Sequence, residues 1–240
     1  SDRERPGRDF FDPARGLVEI GVAVFDLPRQ RDGARAAELP ETLEGGEQNG
    51  RFDSVIQFDA AEATSVFDGA YGPGQWVISS IELKLTENAA PGNPLFPRGV
   101  GSFSIGWISA DEWTQGNGSP GNPMPGGGTV ITWSLLQSLL SSGSESALGT
   151  FSSTGQDGSV NCSLPLDALL EADLRKGGAV SLHLTPATPG VGFSFHSTNY
   201  FDSSKRPVLR IVAVPRGDAD GNGQVTVNDV GSFVTGLLSG

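Results

Sequence analysis

The chain has 240 residues, of which 37% are hydrophobic, so it can form one large domain with a small addition. Its 28 acidic and 16 basic side chains give a net charge of −12, which excludes the basic footprint that nucleic-acid binding requires. No apolar run approaches the roughly 20 residues that cross a bilayer, and the 34 Gly and 16 Pro indicate many short strands joined by turns.

The first 50 residues are predicted to form an N-terminal arm with one strand, Leu17–Phe25. This strand has apolar residues on both faces, which favours burial on both sides, as when a strand is added to the edge of a sheet. We expect the strand either to dock on its own domain or to be donated to a neighbour. The candidate assembly residues on one of its faces are Val18, Ile20, Val22 and Val24.

Residues 51–215 are predicted to form an all-β jelly-roll β-sandwich. The pattern that favours this fold is a series of short alternating apolar runs with turn-rich connections. In chain order the runs are Phe52–Phe58, Val77–Leu85, Ser102–Ile108, Val130–Trp133, Leu148–Ser152, Val160–Leu164, Val180–Leu184, Val191–Phe195 and Val208–Val214. Short helices are predicted at Ala60–Ala70, at Leu135–Leu140, and between a capping Asp167 and Gly177.

The single cysteine, Cys162, excludes an internal disulfide. It alternates with Val160 and Leu164, which indicates a buried structural thiol rather than a nucleophile. An extracellular protein without disulfides needs another stabilising cross-link, and a bound metal ion is the usual one. The acidic composition suits a protein that stays soluble outside the cell, and we expect a secreted chain from which a signal peptide has been removed.

No catalytic motif stands out, so we expect a protein that is not an enzyme. His183 alternates with Leu182 and Leu184, which predicts that its side chain points outward, and His196 lies at a strand end. There is no nucleophile elbow, phosphate loop or His-Glu-x-x-His segment. We interpret the acid–aromatic stretch Asp111–Trp113 as a solvated loop with a tryptophan anchor. Sugar stacking is a further hypothesis for the tryptophans, which are Trp76, Trp107, Trp113 and Trp133.

The stretch Asp218–Asp229 matches a calcium-binding loop of the EF-hand type. Such a loop offers Ca²⁺ oxygen ligands from positions 1, 3, 5, 7, 9 and 12, with Gly at position 6 for the sharp turn. Gly223 stands at the turn position. The predicted Ca²⁺ ligands are Asp218, Asp220, Asn222, the Gln224 carbonyl, Thr226 (directly or through water) and Asp229. The alternative is a turn rich in Asp and Asn without a metal.

An apolar stripe follows the loop and predicts a short C-terminal helix, so residues 216–240 form a third segment. The stripe recurs at i, i+3, i+4, i+7 and i+8 and consists of Val230, Phe233, Val234, Leu237 and Leu238. Gly231 and Gly236 weaken the helix, so it needs a partner to be stable. We expect the stripe to pack on this chain's sandwich or on another molecule, which makes these five residues candidate assembly residues.

Two resemblances to known families accompany these patterns. Residues 217–230, with Asp at position 12 of the loop, resemble one type I dockerin repeat, and dockerins ordinarily contain two. Residues 53–214 resemble secreted bacterial jelly-roll proteins of the DNRLRE and related carbohydrate-binding-module type. The segments that carry this resemblance are Ile56–Asp59, Ile78–Leu85, Glu112–Gly116, Ile131–Trp133 and Arg206–Ile211. The resemblance implies a jelly-roll fold and secretion.

Taken together, these features favour a calcium-stabilised extracellular structural protein. It would associate with copies of itself, through its N-terminal strand and C-terminal helix, into a filament or matrix. The alternative is a carbohydrate-binding or adhesion module of a cell-surface assembly, with a polysaccharide as partner. A glycan-active enzyme is the weakest hypothesis, because the motifs are missing.

Overall fold

The computed structural model describes residues 10–12, 17–21, 53–88, 99–114, 131, 133–189, 193, 195–196, 200–220 and 222–239. For residues 10–12, 17–21, 133, 134, 232 and 239 it describes the backbone alone. The strands are β1 (Phe10–Asp12), β2 (Leu17–Gly21), β3 (Ser54–Asp59), β4 (Trp76–Glu87), β5 (Gly101–Ile108), β6 (Glu145–Ser153), β7 (Gly158–Leu164), β8 (Ala179–Pro186) and β9 (Val208–Pro215). The helices are α1 (Ala61–Tyr71), α2 (Trp133–Ser142), α3 (Ala168–Lys176) and α4 (Val227–Ser239), with a 3₁₀ turn at Ser203–Lys205.

The strands form two antiparallel sheets, so the regular structure of the described residues is mostly β, with a few short helices. The first sheet has the order β1-β2-β9-β4-β7, and the second has the order β3-β8-β5-β6. Strand β2 pairs with β9 of its own chain, from Leu17 opposite Val212 to Gly21 opposite Val208. The N-terminal strand therefore extends a sheet of the same molecule.

The main hydrophobic core draws side chains from both sheets. In β4 the alternating Ile81, Leu83 and Leu85 are at most 1% exposed. They share this core with Phe58 of β3 and Leu182 of β8, which belong to the other sheet. Each such side chain contributes roughly 1.5–3 kcal/mol of stability through its burial. The period of two in the sequence is therefore explained by one face of each sheet lying against the other sheet.

A second, smaller core covers the other face of the second sheet. It joins Val55 of β3 and Ile108 of β5 to Trp113, Ile131 and Leu136, the last of which belongs to α2. Strand β8 is consequently buried from Val180 to Leu184 on both of its faces. The alternation of apolar and polar residues along β8 therefore does not show which side chains face the core and which face solvent.

Each strand from β2 to β9 overlaps a strand that the alternation predicts. The strand predicted at Val130–Trp133 is wrong at its end, because Trp133 begins α2. So short an apolar run does not separate strand from helix, and packing of Leu136 under the second sheet favours the helix. Of the run Val191–Phe195, Phe195 bridges Glu87, and residues 191, 192 and 194 lie outside the described part of the chain.

The helix predicted after Asp167 is confirmed together with both of its ends. The Asp167 carboxylate accepts hydrogen bonds from the backbone N–H groups of Leu169 and Leu170, at 2.9 and 3.1 Å. At the other end, Gly177 has φ +67°, the left-handed conformation that terminates helices. Helix α1 likewise coincides with the predicted Ala60–Ala70, shifted by one residue.

Candidate metal centre

The predicted metal loop connects β9 to α4 and is anchored to the first sheet at its start. The backbone N–H of Arg216 donates to the carbonyl of Gln75, just before β4, at 2.8 Å. Nearby, the Tyr71 hydroxyl of α1 donates to the Ala213 carbonyl at 3.3 Å. Burial and the carboxylate of Asp218 raise the pKa of Tyr71. The loop therefore begins against the packed part of the molecule, beside the end of α1.

Three of the predicted ligands meet at one point. Carboxylate oxygens of Asp218, Asp220 and Asp229 all lie within 4.8 Å of one another. Asp218 and Asp229 are 8% and 4% exposed, whereas Asp220 is open to solvent. Three like charges at this separation repel one another unless a cation lies between them. The arrangement can hold a metal ion.

Backbone hydrogen bonds fix two of these carboxylates. Oδ1 of Asp229 accepts from the N–H of Ala219 at 2.8 Å and from that of Asp220 at 3.2 Å, and Oδ2 accepts from Thr226 at 2.6 Å. These bonds, with that from Thr226 the strongest, hold the pKa of Asp229 below its usual value. The carboxylate of Asp218 accepts from the N–H of Gly223 at 2.7 Å. Both groups are therefore held in place across the loop.

The other predicted ligands line the same loop. Asn222 donates through Nδ2 to Asp220 at 2.8 Å, and its Oδ1 accepts from the N–H of Gln224 at 2.9 Å. Thr226 is half-buried, and its hydroxyl lies 3.4 Å from Oδ2 of Asp229. Gly223, at the predicted turn position, has φ +87° with open space where a Cβ would lie. Glycine is required there by the backbone conformation and not by crowding.

Helix α4 leaves the loop with its apolar face uncovered. The exposed fractions of the α4 stripe are 58% for Val230, 64% for Phe233, 44% for Val234, 71% for Leu237 and 81% for Leu238. Of the two expected outcomes, packing on this chain's own sandwich does not occur in the described residues. The only charged residue of the helix is Asp229, whose carboxylate faces the loop. The exposed α4 stripe is therefore apolar and carries no charge.

The N-terminal candidate assembly residues, unlike the α4 stripe, belong in part to a strand that is paired within the molecule. Val18 and Ile20 lie in β2, opposite Ile211 and Leu209 of β9. Their side chains lie outside what the structure describes, as do Val22 and Val24 altogether. The strand thus has a partner within its own molecule along all of its described length.

The prediction that His183 points into solvent is wrong, because both faces of β8 are covered. His183 is 4% exposed. Its Nδ1 lies 3.0 Å from Oε1 of Glu145, and its Nε2 lies 3.3 Å from Oδ2 of the buried Asp53. Burial lowers the pKa of His183, but the hydrogen bonds to Asp53 and Glu145 outweigh it, and the pKa is raised. No sequence pattern brings these three residues together.

The stretch Asp111–Trp113 is more deeply packed than a solvated loop. Trp113 is 2% exposed and donates through Nε1 to the Ser181 hydroxyl at 3.0 Å. That hydroxyl donates in turn to Oδ1 of Asp111 at 2.7 Å. Burial raises the pKa of Asp111 to about 6, more than the bond from Ser181 lowers it. The tryptophan anchor is confirmed, whereas Asp111 is only half open to water.

The tryptophans with described side chains do not form an exposed platform. Trp76, Trp107 and Trp113 are 2–4% exposed, and the side chain of Trp133 lies outside the described part. Trp107 donates through Nε1 to Oδ2 of Asp173 at 2.9 Å within the core. Cys162 is also fully buried, as predicted, and burial raises its pKa to about 12. The three described tryptophan side chains therefore provide no sugar-stacking surface, and the Cys162 thiol is not exposed for reaction.

Comparisons with known proteins do not assign a family. No protein-family model matches the chain, and no curated protein matches it. Among the described helices, none has the length and apolarity needed to cross a membrane.

Proposed function

We propose that this protein is a non-catalytic, extracellular structural subunit that binds calcium and associates with copies of itself. The observation that carries the proposal is the α4 stripe. It is exposed along its whole length and is held at its base by an acidic loop that can bind a metal ion. The single buried cysteine and the acidic composition are consistent with a secreted location.

A jelly-roll sandwich is part of the proposal. In this fold eight strands form two sheets connected by two Greek keys. The strand orders β2-β9-β4-β7 and β3-β8-β5-β6 agree with such a path, with β1 added at one edge. We assign residues 51–215 to the sandwich. Strand β2, from the arm formed by residues 1–50, completes its first sheet. Residues 216–240 are then a dockerin-like appendage.

Calcium is the ion that the donors favour. Carboxylates, an amide and backbone carbonyls are hard oxygen ligands, and Ca²⁺ accepts about six to eight of them in flexible geometry. Mg²⁺ requires near-ideal octahedral geometry and keeps several waters, which a loop of protein oxygens satisfies less well. Asp218, Asp220, Asn222 and Asp229 would supply side-chain oxygens, and Gln224 a carbonyl, with Thr226 completing the set.

The ion would control how α4 is presented. Asp229 belongs both to the acidic cluster and to the first turn of the helix. Without a cation, repulsion among the carboxylates favours opening of the loop, and a short helix with two glycines does not persist alone. With a cation, the loop is closed and the helix starts from a fixed point. Calcium is thus expected to order the helix that makes the contact.

Association through the α4 stripe is energetically reasonable. Full burial of one large apolar side chain contributes roughly 1.5–3 kcal/mol, and association costs roughly 4–15 kcal/mol. The exposed fractions amount to about three whole side chains per stripe, so two fully covered stripes contribute roughly 10–19 kcal/mol, which exceeds most of this range, whereas half-covered stripes match only its lower part. The contact is also free of like charges, which matters for a chain of net charge −12. We therefore expect association that depends on protein concentration and is strengthened by any second contact.

The N-terminal strand β2 could be exchanged between two copies of the chain. Its five pairs with β9 are within one chain. An exchanged β2 would make the same pairs with β9 of a neighbour, which is domain swapping. Association through the α4 stripe does not require this exchange, because the stripe is uncovered whether or not β2 is exchanged.

The experiment is negative-stain electron microscopy of the full chain in millimolar calcium and after addition of a chelator. We expect extended assemblies in calcium that disperse with the chelator. Phe233→Asp should abolish them, because it places a charge in the α4 stripe. The matched control is Phe201→Asp, since Phe201 is 85% exposed but lies outside α4. Monodisperse monomers of the unmodified chain in calcium would contradict the proposal.

A further inference from the structure

Among the described strands, β7 forms one edge of the first sheet, and its own residues carry none of the features that normally block such edges. It pairs with β4 on one side, from Ile81 opposite Leu164 to Glu87 opposite Gly158, and no described strand pairs with its other side. Its seven residues include no charge and no proline, and its register with β4 contains no shift. Exposed edges are ordinarily protected by lysine, proline or a bulge, because free backbone N–H and C=O groups attract further strands.

The neighbouring edge of the second sheet has this protection. Strand β6 begins with the charged Glu145, and Gly149 within it has φ +136°. The register between β6 and β5 shifts beside Ile105 and Gly106. A bulge bends a strand and interrupts its row of hydrogen-bonding groups. Within one molecule, therefore, one edge is distorted and the other is left regular.

The side chains of β7 suit contact with a second copy of the same strand. Ser159, Asn161 and Ser163 are exposed, whereas Cys162 and Leu164 face the core. An antiparallel pair centred on Asn161 would set Ser159 opposite Ser163 of the other copy. Small polar groups would then face each other, and no like charges would be directly opposite. The absence of opposed like charges matters because each copy has a net charge of −12.

Two charged side chains of the adjoining strand beside this edge both have partners within the molecule. Glu82 of β4 lies opposite Ser163 of β7 and accepts a hydrogen bond from Arg210 of β9 at 2.8 Å. Lys84 lies opposite Asn161 and donates to the carbonyl of Ser204 at 3.3 Å. The surface beside the β7 edge thus presents a neutralised acid and an occupied ammonium group to an approaching copy.

We propose that β7 pairs antiparallel with β7 of a second copy, which would join their first sheets into one continuous sheet. The inference rests on the proposed function, namely that copies of this chain associate. A two-fold β7 contact alone closes into a dimer, and so does a two-fold α4 contact. When both occur on one subunit and their axes differ, copies alternate between the two contacts and form an open chain. The β7 contact is the second contact that an extended assembly requires.

A disulfide placed at the two-fold axis tests the pairing directly. Residues directly opposite in antiparallel strands have Cα atoms about 4.5–5.5 Å apart, within the range that a disulfide spans. In calcium with a mild thiol oxidant such as diamide, Asn161→Cys should convert most of the full chain into a dimer linked through the two introduced thiols, which peptide mapping identifies. The control is Ser152→Cys, an exposed position on the edge strand β6, which should stay monomeric on a non-reducing gel. The native Cys162 is buried and does not compete.

A charge at the same position separates this inference from the proposed function. Asn161→Lys places like charges opposite each other at the axis, so extended assemblies in calcium should shorten to dimers held by α4. Ser152→Lys should leave them extended. Extended assemblies that persist in Asn161→Lys, with no disulfide in Asn161→Cys, would overturn the β7 pairing and leave the proposed function standing. Cross-linking of Asn161→Cys without calcium-dependent assembly of the unmodified chain would instead support the β7 pairing and overturn calcium-dependent assembly through the α4 stripe.

Discussion

The Asp229 carboxylate accepts a hydrogen bond from the backbone N–H of Ala219, ten residues earlier in the chain, at 2.8 Å. This bond connects the end of the acidic loop, which is also the first turn of α4, to the start of the loop beside β9. The position of the helix is therefore linked to the geometry of the acidic cluster. Any change that opens the loop should also change how the α4 stripe is presented.

Asp229→Asn tests this link. The amide removes one negative charge from the cluster and replaces an oxygen that accepts backbone hydrogen bonds with an N–H₂ group. We expect the calcium Kd to rise by at least about tenfold, which corresponds to about 1.4 kcal/mol. Isothermal titration calorimetry measures the affinity, and far-ultraviolet circular dichroism in calcium should show lost helix content. Glu112→Gln, an exposed carboxylate away from the loop, is the control and should bind calcium unchanged.

Alanine substitutions at two glycines should act in opposite directions. Gly223 has φ +87°, so Gly223→Ala should cost about 1–2 kcal/mol through backbone strain alone and weaken calcium binding. Gly231 lies inside α4 with open space around it, so Gly231→Ala should stabilise the helix by about 1 kcal/mol. Calorimetry and circular dichroism check both variants. Equal effects of the two substitutions would contradict the assigned role of the Gly223 turn.

His183 should make stability depend on pH in a defined direction. Its pKa in the folded protein is raised above the value of about 6.5 expected in the unfolded chain. The stability that it contributes is therefore fully present below about pH 6.5 and is lost as the pH rises through the folded pKa. His183→Gln should lower the free energy of unfolding by about 3 kcal/mol near pH 6, because it removes the imidazolium that contacts the buried Asp53 carboxylate.

Urea unfolding of both proteins in saturating calcium, at about pH 6 and about pH 9 on either side of the histidine range, measures this dependence. The difference between the unmodified chain and His183→Gln should shrink at the higher pH. Because the remaining groups are common to both proteins, their titration largely cancels in the difference. A difference that grows with pH would show that His183 is buried neutral.

Asp111 should make stability fall with rising pH in the same direction as His183, but over a lower pH range. Its folded pKa of about 6 exceeds the unfolded value of about 3.9, so the folded state binds more protons and stability falls as the pH rises between these values. Asp111→Asn keeps an oxygen that can accept from Ser181 and carries no charge. The variant should gain stability relative to the unmodified chain from about pH 4 to about pH 6 and keep a constant gain above that. Urea unfolding at several pH values between about 4 and about 8 measures this gain, and its absence in Asp111→Asn would contradict the burial of Asp111.

The sequence predicts most of the architecture, because strand alternation and helix caps are local signals. The period of two in β4 and the Asp167 cap are visible in a few neighbouring residues. The calcium-loop pattern likewise places Asp218, Asp220 and Asp229 in one stretch, and the fold closes them into one cluster. A structural feature can be predicted from one stretch of sequence when the groups that form it are close together in the chain.

What the sequence could not predict depends on contacts between distant segments. His183 is buried because α2 and the Asp111–Trp113 segment cover the outer face of the second sheet, and the alternation of β8 contains no trace of that cover. The helical state of Trp133 depends on the same contact. Whether the α4 stripe finds a partner in its own chain was also undetermined, because an apolar stripe specifies burial without specifying the partner.

Sedimentation velocity of the full chain across a concentration series, in millimolar calcium and in excess chelator, tests directly whether copies associate through the α4 stripe. If the α4 stripe is an assembly surface held by the calcium loop, the sedimentation coefficient should rise with protein concentration in calcium. In chelator, and for Phe233→Asp in calcium, it should return to smaller species. A single monomeric species at every concentration in calcium would contradict the account.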